Sequence, residues 1–133
     1  MRALALLLAF SVGEALACGY CVEDKIAAVY EHAAVSRSIA GGRTVVFFAI
    51  DGELKHGAAT RARIEKLAAA VPGVEPASVR LSTEAAALAL AFDPRRTSLA
   101  AVQQTLERKL AAQKLSLLAM RVMDRPGDLA AAK

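Results

Sequence analysis

Thr44-Val45-Val46-Phe47-Phe48-Ala49-Ile50 is the stretch from which the fold can be read. It is apolar at nearly every position, rich in β-branched and aromatic residues, and stopped by Asp51-Gly52. A half-buried strand would alternate apolar and polar residues; this pattern predicts a strand covered on both faces. Downstream, Ala58 to Val71 switches to helical spacing, with Ile64, Leu67, Ala68 and Val71 on one side, and Pro72-Gly73 ends it. Ala77 to Leu81 and Ala85 to Phe92 read as two strands joined by the turn Ser82-Thr83-Glu84. Thr97 or Ser98 then caps a helix whose stripe is Leu99, Val102, Leu106 and Leu110, and Leu115 to Met123 is a last strand.

The order β-α-β-β-α-β, with right-handed crossovers, folds into a four-stranded antiparallel sheet carrying both helices on one face. The expected fold is therefore α+β, a ferredoxin-like βαββαβ sandwich spanning residues 43–123, with an extra helix in front. That helix runs from Cys21 to about Ile39 on the stripe Val22, Ile26, Val29 and Ala33, with Glu23 and Asp24 in its first turn. The open face of the sheet is where residues 18–42 are expected to pack, and residues 124–133 read as an Ala-rich tail. At the other end of the chain, Arg2, the apolar run Ala3 to Phe10 and the closing Ala15-Leu16-Ala17 have the tripartite form of a signal peptide over 1–17. The expected location is the periplasm or the exterior. Cleavage there makes Cys18 the first residue; a lipoprotein signal, which would acylate Cys18 and tie the protein to a membrane, fits less well because Ala15 stands where leucine is usual.

Composition removes several classes. The chain has 133 residues, 17 Lys and Arg against 13 Asp and Glu, and 56% hydrophobic residues. It is too apolar for a disordered segment, and 8 Gly, 4 Pro and 2 Cys exclude collagen and disulfide-dense scaffolds. A net charge of +4 without a basic run does not describe a nucleic-acid binder. No Ser-His-Asp set, paired carboxylates or phosphate loop occurs, so no enzyme activity is expected beyond thiol–disulfide exchange.

Two segments resemble the heavy-metal-associated domain of copper chaperones and metal-pumping ATPases. One is Val71-Pro72-Gly73-Val74 through Leu81; the other is Phe92-Asp93-Pro94 leading to Thr97-Ser98, and Arg63-Ile64-Glu65-Lys66-Leu67 is similar to the family's first helix. The resemblance implies a protein that binds a metal ion and passes it to a metal-transporting partner. It also exposes a departure. The family's Cys-x-x-Cys belongs in the loop before that helix, where this chain has Gly57 and Thr60. Neither is a ligand for a soft metal.

The two cysteines stand instead at Cys18-Gly19-Tyr20-Cys21. Three readings apply: a local disulfide, a redox pair like that of periplasmic disulfide isomerases, and a metal site. A bond closing so short a loop stabilises little, and no strand precedes the motif as a thioredoxin fold requires. Two thiolates suit Cu(I), with Zn(II) also compatible. Metal binding through Cys18 and Cys21 is the favoured reading; a thiol–disulfide redox protein and a metal-free adaptor are the alternatives. His56 lies in the loop that carries the family's metal and would complete a Cys-Cys-His set if the N-terminal segment crosses that edge; otherwise it is an exposed loop histidine. His32, eleven residues along one helix from Cys21, would be about 16 Å away and out of reach. Met120 and Met123, three apart on a strand, are expected on opposite faces.

Overall fold

The computed structural model describes residues 21–131; the signal peptide expected over 1–17, Cys18 and Tyr20 lie outside them. The elements in chain order are α1 (Val22–Val29), α2 (His32–Ala40), β1 (Thr44–Asp51), α3 (Ala58–Ala69), β2 (Arg80–Ser82), β3 (Ala87–Phe92), α4 (Leu99–Leu110), β4 (Ser116–Met123) and α5 (Pro126–Ala131). The strands form one sheet in the order β2-β3-β1-β4, and β1 pairs antiparallel with both β3 and β4. With α3 and α4 crossing between strands, this is the ferredoxin-like arrangement.

Each face of the sheet has its own core. On one, Val46, Phe48 and Ile50 of β1 and Leu88, Leu90 and Phe92 of β3 pack with Ile64, Ala68, Val102, Leu106 and Leu110 of α3 and α4. On the other, Val45 and Phe47 and the alanines Ala87, Ala89 and Ala91 lie under Ile26 and Val29 of α1 and Val35 and Ile39 of α2. The strand period of two thus assigns large side chains of β3 to one layer and methyl groups to the other. The N-terminal segment does cover the open face.

It does so as two helices, which corrects the single helix expected over residues 22–39. Tyr30 and Glu31 are extended, with ψ of 125° and 111°. Tyr30 lays its ring 6.1 Å from that of Phe47, and Glu31 pairs with Arg80 of β2 at 2.8 Å. The break has a packing cause. Val29 and Val35 are six residues apart, about 600° on a continuous helix, so they could not share a face. Two extended residues reset the phase. Val22 and Ala33, expected on the buried stripe, are exposed.

Three smaller expectations change as well. The strand predicted over Ala77–Leu81 begins only at Arg80, because Pro76–Ser78 forms a 3₁₀ turn in which Ser78 Oγ takes the Ala91 N–H at 2.8 Å. β3 starts at Ala87 rather than Ala85. Met120 and Met123 face the same core, not opposite ones. The β1–β4 register slips between Phe47 and Phe48, paired with Arg121 and Ala119, so Met120 is the extra residue of a bulge that inverts the alternation. The tail, finally, is partly helical: Leu129 of α5 packs on the α1–α2 core, and Asp128 Oδ2 accepts the Asp124 and Arg125 N–H groups at 3.0 Å each.

Where the chain turns from α3 toward β2, Gly73 has φ +85°, and a Cβ there would lie 2.6 Å from Thr97 Cγ2. Only glycine fits this stop. At α4, Ser98 is the cap, accepting the Ala101 N–H at 3.2 Å.

The alanine face of β3 sets how closely α1 and α2 approach. Ala87→Leu, at a fully buried position, should overpack that seam and cost about 1–3 kcal/mol in denaturant unfolding. An unchanged midpoint would mean that the helices do not rest on this face.

Candidate metal centre

Cys21 is the residue from which α1 starts. Its carbonyl accepts the Lys25 N–H at 2.9 Å, while its side chain makes no capping bond to the helix. The thiol is free and exposed, donating to Asp24 Oδ2 at 3.1 Å. Two contacts fix this end of α1 on the sheet. Glu23 pairs with Arg121 of β4. Lys25 donates through Nζ to Ala85 O at 2.6 Å and approaches Ala86 O at 3.5 Å, holding the turn between β2 and β3.

That same turn receives the loop carrying His56. Gly57 N–H donates to Thr83 Oγ1 at 3.4 Å. Glu84 is held below the usual glutamate range, first by its own backbone N–H, then by the Thr83 hydroxyl, with the charges of His56 and Arg61 adding to the pull. The Lys25 side chain and the Gly57 N–H therefore reach the same turn, while Glu23, nearer the start of α1, is held at Arg121 of β4, opposite Phe47 and on the edge of the sheet away from β2. His56 itself is exposed. Among the described residues no group of three His, Cys, Asp or Glu side chains is close enough to hold a metal ion. Cys18, the other half of the motif, lies outside them.

In the loop that aligns with the heavy-metal-associated site, Gly57 has φ +116° and open space where a side chain would project, and Thr60 is half-buried in the first turn of α3. His32 is exposed, with Nδ1 3.0 Å from the Tyr30 hydroxyl. Because α1 and α2 are separate helices, the rise of one continuous helix does not set its distance from Cys21; its partner is Tyr30. Met123 is core, and Met120 is half-buried beside it.

Sequence reasoning did not find Lys25, a cation set on two carbonyls of a turn 60 residues away. A lysine one helical turn after the cysteine, on the side of Ile26 and Val29, was the only available signal.

No family model and no curated protein matches the chain. Among solved structures, a crystal structure of oxidized MerP from Ralstonia metallidurans CH34 is similar at 18% identity with a TM-score of 0.47, over 59% of this chain and 99% of that one. The class of protein is given by the strand order and the two helical layers described above: an α+β ferredoxin-like sandwich with a second helical layer on its open face.

The lowered Glu84 carboxyl has a defined sign. Its contribution to stability is present above the ordinary glutamate value of about 4.3 and is lost as pH falls through the lower folded value. A carboxyl-resolved NMR titration should place the Glu84 midpoint below that of an unperturbed glutamate, and Thr83→Val should raise it. A midpoint at or above the ordinary value would contradict the turn geometry.

Proposed function

We propose that this is an exported protein that binds a soft metal ion, Cu(I) foremost and Zn(II) secondarily, through Cys18 and Cys21, and passes it to a metal-transporting partner. The observation that carries the reading is the Cys21 thiol: free, exposed and at the start of a helix, with Cys18 three residues before it. Two sulfur donors select soft ions, and a helix N-terminus favours the negative charge of bound thiolates. A site on the exposed end of a helix suits transfer of an ion more than its burial. His56 is proposed as a third donor, since its loop and α1 meet the same β2–β3 turn. The resemblance to heavy-metal-associated domains supports the same chemistry with the thiol pair moved from the β1–α3 loop to the N-terminal segment.

A redox role for the pair is the second reading. The described pairings are all antiparallel, unlike the parallel core on which thioredoxin-type chemistry is built, and this favours metal binding.

Competition titration of the reduced protein with Cu(I) and Zn(II) tests the proposal. The Cys18→Ser, Cys21→Ser variant should lose at least about 100-fold in affinity, because outer-layer partners alone are worth 10–100-fold. His56→Ala should lose about 10-fold on the same scale. Binding should weaken as pH falls, since the thiols must lose their protons to bind as thiolates. Equal, weak affinity in the wild type and the cysteine variant would remove the metal reading. Intact mass of the exported protein should show an unmodified Cys18; an attached lipid would place the protein at a membrane and leave Cys21 without a free thiol partner.

A further inference from the structure

Two carboxylates occupy the first turn of α1, and the structure uses them differently. Glu23 is tied to Arg121 of β4. Asp24 makes none of the ion pairs found among the described residues. Its Oδ2 instead accepts from the Cys21 thiol at 3.1 Å, and both residues are exposed. Asp24 stands three residues after the helix cap, a position from which an acidic side chain ordinarily reaches back to the backbone N–H of the cap residue. Here it meets the sulfur. Cys21 in turn makes no side-chain bond to the helix it starts, so thiol and carboxylate are directed at each other.

The spacing of this pair suits one class of ion more than another. Zn(II) takes a thiolate at about 2.3 Å and a carboxylate oxygen at about 2.0–2.2 Å, which in a tetrahedral site sets the two donors about 3.6 Å apart. The observed 3.1 Å is within about half an ångström of that span. Rotation of two exposed side chains closes such a gap. Cu(I) gains little from the same oxygen, because it selects soft sulfur donors over carboxylates.

We propose that Asp24 sets the metal selectivity of the site: its carboxylate joins the two thiolates in holding Zn(II) and takes no part in holding Cu(I). The inference rests on the metal-binding reading of Cys18 and Cys21 and is independent of His56. On binding, the Cys21 proton now shared with Oδ2 leaves to solvent, and the oxygen that accepted it donates to the ion.

Asp24→Asn keeps the shape of the side chain and removes its anionic oxygen donor. Competition titration of the reduced protein should show Zn(II) affinity lowered at least about tenfold, the scale on which partners of a metal site count. Cu(I) affinity should change less than about twofold, since the oxygen is a poor donor to it. The Zn(II) loss should persist in 1 M salt, where the screening length is about 3 Å and the influence of a nearby charge fades. Co(II), loaded as a spectroscopic stand-in for Zn(II), should show displaced visible bands in the variant. Asp24 is exposed, and matching thermal midpoints of the metal-free proteins will show that the fold is unchanged. Equal Zn(II) affinity in wild type and variant, or equal losses for Zn(II) and Cu(I), would overturn the proposal and leave the cysteine pair in place. So would a Zn(II) difference that vanishes in 1 M salt. A Cys18→Ser, Cys21→Ser variant that binds both metals like wild type would overturn the cysteine reading and this one with it.

Discussion

Everything in this structure depends on a sheet whose inner strands β1 and β3 are covered on both faces, while the edge strand β4 leaves Leu118 and Val122 exposed. β1 is central and buried on both sides, and its neighbour β3 alternates Ala87, Ala89 and Ala91 with Leu88, Leu90 and Phe92. The large residues fill the space beneath α3 and α4. The methyl groups leave room for α1 and α2 to settle close to the backbone on the other side. A sheet of this composition without its N-terminal helices would expose Val45 and Phe47 to water, an apolar surface of the kind that drives association. The N-terminal segment is thus part of the core, and the cysteine at its start is held by a folded element.

The same economy governs the sheet edges. β2 and β4 are the outer strands, and each is met by a side chain from the helix above it. Glu65 of α3 accepts the Leu81 N–H at 3.2 Å, and Glu107 of α4 accepts the Leu117 N–H at 3.0 Å while Gln103 donates to Leu117 O at 2.9 Å. These bonds occupy backbone groups that would otherwise invite another strand.

Much of this was legible in the chain. The doubly covered β1, the α3 stripe with its Pro72-Gly73 stop and the α4 stripe with Ser98 all follow from residue type and spacing, because burial and capping are local rules there. What escaped was set by contacts distant in sequence. The break at Tyr30-Glu31 answers to Phe47 and Arg80, although the phase conflict between Val29 and Val35 was a visible hint. The bulge at Met120 arises from the register with β1, and no pattern within β4 announces it. The shortened β2 reflects Ser78 serving Ala91 in place of a ladder bond. At the site, Cys21 was placed correctly at a helix start, whereas the way Lys25 brings that start to the turn beside the His56 loop required the tertiary structure.

We propose that the helical layer seated on the alanine face carries Cys21, which together with Cys18 binds a soft metal ion, with His56 as a third donor. X-ray absorption at the metal edge of the Cu(I)-loaded protein tests this most directly. The account predicts sulfur scatterers from both cysteines and a nitrogen scatterer that disappears in His56→Ala. A shell of nitrogen and oxygen alone, unchanged by Cys18→Ser and Cys21→Ser, would contradict it.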